Sequence, residues 1–354
     1  MALNLSPQIA DATAYDGEGG AYYAWTAAKS PVLSEAALGA GKLVLQPRGF
    51  ALPHYADTFK IGYVVQGTCT VGLVLPNSPQ EKVIIINGGD AIPVPMGSIS
   101  WWFNGGDSNL TIIFLGESKQ SHNPGKFDYF FLTGALGVLR GFSNEFISKI
   151  YNLNEADSEK LAKSRTEALI LKLGEEINMP GQPNCNVKEY AFNLVDLICS
   201  NDGSPGVACA AITADNLGLL DKVGLSASLV RVGPNSVLDP SYTTDGSHRV
   251  IYVIKGSGRV QIVGLNGALA LDAEVGPDQL FVVPKFFAAA LLADEHGLEL
   301  YSVYTSSRPV LGQLAGNTSP WKALSLPVLQ ASLNVSPAFV QLFKSNNEGE
   351  KNYI

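Results

Sequence analysis

Charge is scarce in this sequence of 354 residues: Asp, Glu, Lys and Arg make up 16%, against 46% hydrophobic residues. There is no Lys/Arg cluster, and 32 acidic residues against 24 basic ones leave a net charge of -8. A nucleic-acid backbone or an anionic membrane surface is held by arrays of basic side chains, so neither is expected as a partner. Long apolar runs are missing too. None reaches the roughly 18 residues that a spanning helix needs. The opening "MALNLSPQIADATAYDGEGG" lacks the basic and apolar regions of a secretory leader, so a cytoplasmic location is expected. Cysteine is sparse. Cys69, Cys185, Cys199 and Cys209 show no CxxC spacing, and reduced, partly buried thiols are expected. The sequons at Asn4, Asn109, Asn317 and Asn334 carry no weight without secretion.

Glycine (36) and proline (20) are plentiful, as in a turn-rich β fold. The length exceeds what one core usually serves, so two domains are expected. The chain also repeats itself. "IGYVVQGTCTVGLV" (61–74) matches "VIYVIKGSGRVQIV" (250–263), with Gly67 answering Gly256. Both read as apolar strands broken by a tight glycine turn. "GGDAIPVPMGSISWWFN" (88–104) pairs with "VGPDQLFVVPKFFAAAL" (275–291), and each is followed by a last strand, "LTIIFLGE" and "LELYSVYTSS". Apolar spacing then turns helical over 137–164 and 321–345, with second helices expected to begin at Asn154 and Ser336. A repeated unit of short strands decides the fold: an all-β protein of two sandwiches or barrels, each followed by a small helical extension. The expected boundaries are 1–179, a linker at 180–210, and 211–354.

These stretches, with "LPHY", "SHRVIYVIKGSGRVQIVGLNG" and "LAGNTSPWKALSLPVLQASLNVSPAFVQLF", resemble two tandem cupin jelly-roll barrels. From about residue 36 to 345 the chain is similar to the legumin-type (11S) seed globulins, also called glutelin-like, and to their plant bicupin relatives. The resemblance implies a nutrient-reservoir protein that assembles as a homo-oligomer, a trimer. Metal-binding cupins carry two His and a Glu before the glycine turn, and a third His after a later Pro-x-Gly. In the first half those positions hold His54, Ala56, Lys60 and Ser100; in the second they hold Ser241, Thr243, Arg249 and Ala289. A metal needs several protein donors. At ~4 Å and an effective dielectric of 20, Lys60 would add about 4 kcal/mol of repulsion per unit charge on the ion. No metal and no cofactor is implied, and His54 reads as a remnant.

Storage relatives are secreted, disulfide-linked and cleaved at Asn-Gly. Here "NSP" (77–79) stands where the partner of the cysteine resembling Cys199 would be, and Asn193 is followed by Leu194 at the cleavage position. With 11 Gln and 7 Arg, the chain is also poor in the nitrogen-rich residues of seed globulins. The leading reading is a cytosolic, unprocessed, metal-free and non-catalytic relative of the storage globulins. The alternative is a small-molecule binder or a metal-independent enzyme of isomerase or epimerase type in the first barrel. Its candidate ligand-binding residues are His54, Tyr55, Lys60, Tyr63, Ser100 and Trp102, with His54 and Asp57 or Lys60 as an acid/base pair. Trp101 and Trp102 are adjacent, so only one can face the cavity. In the second half, Arg249 and Arg259 are expected as surface or interface charges, and "FVVPKFFAAALLA" as core.

Overall fold

The structure, a computed structural model, describes residues 4–164, 168–200 and 206–347, with the side chains of Cys199 and Ser200 excepted. The expectation for Cys199 therefore lies outside the described residues. The described chain packs as two units: 10–193 with 214–225, and 4–9 with 194–213 and 226–347. The stretch expected as a linker, 180–210, does not stand apart. Its first part stays with the first unit and its later part packs in the second.

The first unit contains β1 (Ala12–Gly17), β2 (Gly20–Ala24), α1 (Pro31–Glu35), β3 (Leu38–Leu45), β4 (Gly49–Ala56), β5 (Phe59–Gln66), β6 (Thr68–Val74) and β7 (Lys82–Asn87). It continues with β8 (Asp90–Val94), β9 (Ile99–Phe103), β10 (Leu110–Glu117), β11 (Tyr129–Phe131), α2 (Asn144–Tyr151), α3 (Glu155–Ala162), β12 (Ile170–Lys172) and β13 (Phe192–Asn193). One sheet runs β1-β2-β3-β10-β5-β8-β13 and the other β11-β4-β9-β6-β7, with β12 also on β4. Leu43, Val64 and Ile112 from one sheet share a core with Val71, Ile84 and Trp102 from the other. Each strand alternates its side chains, so one row fills the space between the sheets.

In the second unit α4 (Leu194–Ser200) precedes β14 (Val207–Ile212), while α5 (Leu219–Val223) packs with the first unit. Then come β15 (Ser226–Val232), β16 (Val237–Thr243), β17 (Arg249–Val263), β18 (Leu269–Val275), β19 (Leu280–Val283), β20 (Ala288–Tyr304), β21 (Leu311–Gln313), α6 (Pro320–Ala323), α7 (Leu326–Leu333) and α8 (Pro337–Asn346). The sheet order is β14-β15-β20-β16-β21, and β17 pairs with β18, β19 and β20. Gln8 adds an isolated bridge to Leu280 through two backbone hydrogen bonds of 2.9 and 2.8 Å.

The glycine turns expected at 67 and 256 are not hairpins. β5 pairs with β8 and β10, whereas β6 pairs with β7 and β9, so Gly67 is the corner at which the chain changes sheets. In the second unit β17 runs on without a break, and the register slips around Gly256. Gly67 (φ +89°) and Gly256 (φ +78°) take the left-handed backbone that such a kink requires. The helix starts fall where expected: Asn154 accepts the Asp157 amide and Ser336 the Phe339 amide. The apolar stretch 281–293 is only partly core. Phe281, Val282 and Leu291 are buried, whereas Phe286 and Leu292 are 60% and 52% exposed. Phe286 sits at φ +65° in the turn closed by the Phe287 amide on Pro284 O, and so lies outside the sheet.

Candidate functional site

The register of the first sheet builds the barrel interior. Across β5, β10 and β3, Lys60 stands opposite Gly116, and Gly116 opposite Gly39. The next row is Gly62, Phe114 and Gly41, and the one after it Val64, Ile112 and Leu43, with Tyr22 of β2 beside Leu43. Gly116 admits no side chain, because a Cβ there would lie 2.7 Å from Lys60 Cα. The space so kept is taken by rings. Lys60 Nζ lies 4.1 Å from the Tyr129 ring centroid, 5.3 Å from Phe114 and 5.5 Å from Phe127, a cation–π box for an ammonium that is 2% exposed.

His54 enters from β4. Its Nδ1 lies 2.8 Å from Leu52 O, which places the proton on Nδ1 and leaves the lone pair on Nε2. The ring stands edge-on to Tyr129 at 5.1 Å. The Tyr22 and Tyr129 hydroxyls share a hydrogen bond of 2.6 Å. Burial, then the Lys60 charge, pushes the imidazole down to about 3. Burial pushes the Lys60 ammonium down to about 7, with Asp57 pulling the other way. Burial raises both phenols above their ordinary range. The space that remains, lined by His54, Lys60, Trp102, Tyr129 and their neighbours, is about 30 Å³, room for about one water.

Of the six candidate residues, His54, Lys60 and Trp102 line this cavity. Ser100 lies opposite His54 in the β4–β9 register and is 3.3 Å from Trp102 Nε1, whose N–H it accepts. Tyr55 and Tyr63 do not belong to it. Tyr55 neighbours His54 along β4, so its ring faces away and stacks on Phe130 at 5.0 Å. Tyr63 is odd-numbered relative to Lys60 and lies on the other face of β5. The acid/base pair fails as well. Asp57 accepts from the His122 amide at 2.8 Å and the Asp128 amide at 3.2 Å, and His54 stays neutral at physiological pH. Trp101 turns away, as the alternation requires, and donates to Glu81. Tyr22, Phe114, Phe127 and Tyr129 were not singled out in the sequence. They come from distant strands, and only the register of β10 and β2 reveals them.

The set does not fit a metal. One imidazole donor remains, its other nitrogen is committed to Leu52 O, and the position of the carboxylate ligand carries an ammonium. In the second unit Thr243 Oγ1 donates to Ser247 O at 2.6 Å, and Arg259 pairs on the surface with Asp272. Arg249 departs from the expected surface charge: it is 6% exposed, inside the barrel.

Two jelly-roll barrels of this construction in one chain make a bicupin. The chain matches the Cupin family over residues 7–159 and again over 200–341. It belongs to that family, as a legumin-type bicupin. It is 22% identical to glutelin type-B 2 of Oryza sativa subsp. japonica over 87% of this chain and 77% of that protein. It is 25% identical to cocosin 1 of Cocos nucifera over 83% and 76%. The crystal structure of the coconut allergen cocosin superposes with a TM-score of 0.89 at 24% identity, covering 98% of this chain and 97% of that one. It is also 21% identical to 11S globulin seed storage protein 2 of Sesamum indicum, over 90% of this chain and 84% of that protein.

Proposed function

We propose that the chain is a non-catalytic member of the nutrient-reservoir globulins that works in the cytoplasm, free of metal, uncleaved, and as a homotrimer. The observation that carries this reading is the filled first barrel: Lys60 and its ring box occupy the place of a metal and its substrate, leaving about 30 Å³. The free thiols of Cys69, Cys185 and Cys209 support a life without disulfides. Asn193, at the cleavage position, is bound into β13, with its side-chain amide 3.0 Å from Asp90 Oδ1. That supports an uncleaved chain. The helical extensions support assembly. Phe146 and Ile150 on α2, and Val328, Phe339 and Leu342 on α7 and α8, are about half exposed, and such apolar faces are covered by a neighbouring copy in closed oligomers. Catalysis or ligand binding around His54 is not favoured, because the imidazole is neutral and the cavity holds only about one water.

Native mass spectrometry of the chain purified without chelator tests the proposal. An apo trimer is expected. A transition metal held per barrel, or a stable monomer at micromolar concentration, overturns it.

A further inference from the structure

The sequence contains three Asn-Gly pairs, at 87–88, 104–105 and 266–267. Asparagine is among the thermolabile residues, and a following glycine has no Cβ to shield its backbone nitrogen from the asparagine side chain. That nitrogen can attack the side-chain carbon Cγ and expel ammonia. The fold decides which pair is free to do so. Asn104 is held on every side. It is fully buried, its Nδ2 donates to Leu45 O at 2.9 Å and Ser108 O at 2.8 Å, and its Oδ1 accepts from the Gly106 amide at 2.9 Å. Asn87 ends β7 opposite Thr68 of β6. Its Oδ1 accepts from Thr68 Oγ1 at 3.0 Å, its backbone N–H donates to Asp90 Oδ2 at 2.6 Å, and Gly88 O accepts from Asn193 Nδ2 at 3.3 Å.

Asn266 is not tied in this way. It stands between β17 and β18 in a short 3-10 turn over Leu265–Gly267. Asn266 and Gly267 are exposed, and Leu265 before them is 77% exposed. Among the described residues the Asn266 side chain has no hydrogen-bond partner. A Cβ built on Gly267 would meet nothing within 4 Å. Asn266 also holds φ +59° and ψ +23°, the left-handed backbone that costs any residue but glycine some energy. The attack needs a rotation about the Cα–C bond of Asn266, and no packed neighbour of Gly267 stands in its way.

We propose that the pair Asn266–Gly267 is a modification site, at which the folded chain loses the side-chain amide of Asn266 without an enzyme. The Gly267 amide gives its proton to hydroxide, and its nitrogen bonds to Cγ of Asn266. The bond from Cγ to the side-chain nitrogen breaks, and that nitrogen leaves as ammonia with a proton from water. Water then opens the five-membered imide at either carbonyl. One opening leaves an aspartyl residue at position 266. The other leaves an isoaspartyl link, which lengthens the backbone of the turn by one carbon. Either product adds one negative charge. The attacking nitrogen must first be deprotonated, so the rate rises with pH.

The test is to age the full chain, folded, in mildly acidic and in mildly alkaline buffer, beside a sample unfolded in urea, until the pairs in urea have converted. Anion exchange separates the more acidic species, and peptide mass spectrometry maps the exchange of amide for acid. In the folded chain, conversion is expected at 266–267, several-fold faster in the alkaline buffer, with 87–88 and 104–105 intact. In urea all three pairs are expected to convert. Asn266→Gln is expected to abolish the acidic species of the folded chain. An Asn266 amide that survives in the folded chain while it is lost in urea overturns the proposal. So does conversion of Asn87 or Asn104 in the folded chain as fast as that of Asn266, or an acidic species that persists in Asn266→Gln.

Discussion

Lys60 and Arg249 hold equivalent places in the two barrels, each seven residues before a glycine kink, Gly67 or Gly256, yet the rows around them differ at almost every position. Beside Lys60 the register places Gly116 and Gly39, and one row on Gly62, Phe114 and Gly41. Beside Arg249 the same places hold Tyr304 and Ser226, then Ile251, Ser302 and Ser228. The first barrel removes side chains near its cation and lets rings from β10, β11 and the loop before β11 close over it. The second surrounds its cation with hydroxyls. The difference follows from what each cation can do. An amine can become neutral inside a ring box, so the first barrel needs no counter-charge. A guanidinium stays charged and needs acceptors around it. One barrel closes rings over its cation, and the other lines its cation with hydroxyls.

The sharpest way to break this comparison is to exchange the cations. Lys60→Arg puts a charge that cannot be shed into the ring box, and is expected to destabilise the first unit by about 4 kcal/mol. Urea denaturation followed by tryptophan fluorescence reads this unit, because Trp25, Trp101 and Trp102 lie in it and only Trp321 does not. A midpoint equal to wild type would show that the box tolerates a fixed charge. The next effect is a pH profile. The folded chain holds Lys60 near 7, so between pH 7 and about 10 the unfolded chain binds more protons, and stability rises with pH at about 1.4 kcal/mol per unit. Below pH 7 both states are protonated and this contribution to the slope vanishes. Lys60→Met is expected to flatten the profile between pH 7 and 9, and an unchanged slope would mean that Lys60 is solvated. Gly116→Ala follows, since its Cβ would meet Phe59 O at 2.1 Å. A loss of about 2 kcal/mol is expected from the strain, in the same urea experiment. Arg259→Ala comes last: its exposed pair with Asp272 is expected to leave the thermal midpoint of the second unit unchanged.

The repeat and the β class were legible because both rest on local signals: two-residue alternation, glycine and proline punctuation, and capping residues such as Asn154 and Ser336. His54 and Lys60 were legible because their positions are counted back from Gly67, and Trp102 because strand alternation lets only one of the adjacent tryptophans face the cavity. Tyr55 and Tyr63 were misplaced for a reason that the sequence already held: each is one step out of phase with an inward neighbour. The ring box was not legible. Phe114, Phe127 and Tyr129 lie more than fifty positions from Lys60, and nothing local says that β10 sets Gly116 against it. The burial of Arg249 escaped for the same reason. Its hydroxyl neighbours come from β15 and β20, and serines in apolar strands look like weak strand positions until the pairing is known. The corners at Gly67 and Gly256 were read as hairpins because a glycine between two apolar runs gives the same signal whether the chain turns back or changes sheets.

The bridge between Gln8 and Leu280 sets an order of events for a chain made from its N-terminus. Residues 4–9 leave the ribosome early, and the strand whose edge they join is finished only after about 270 more residues have been added. A segment made early is therefore among the last to settle. Until β19 exists it must wait as an unpaired stretch, open to proteases and to the strand edges of other nascent copies.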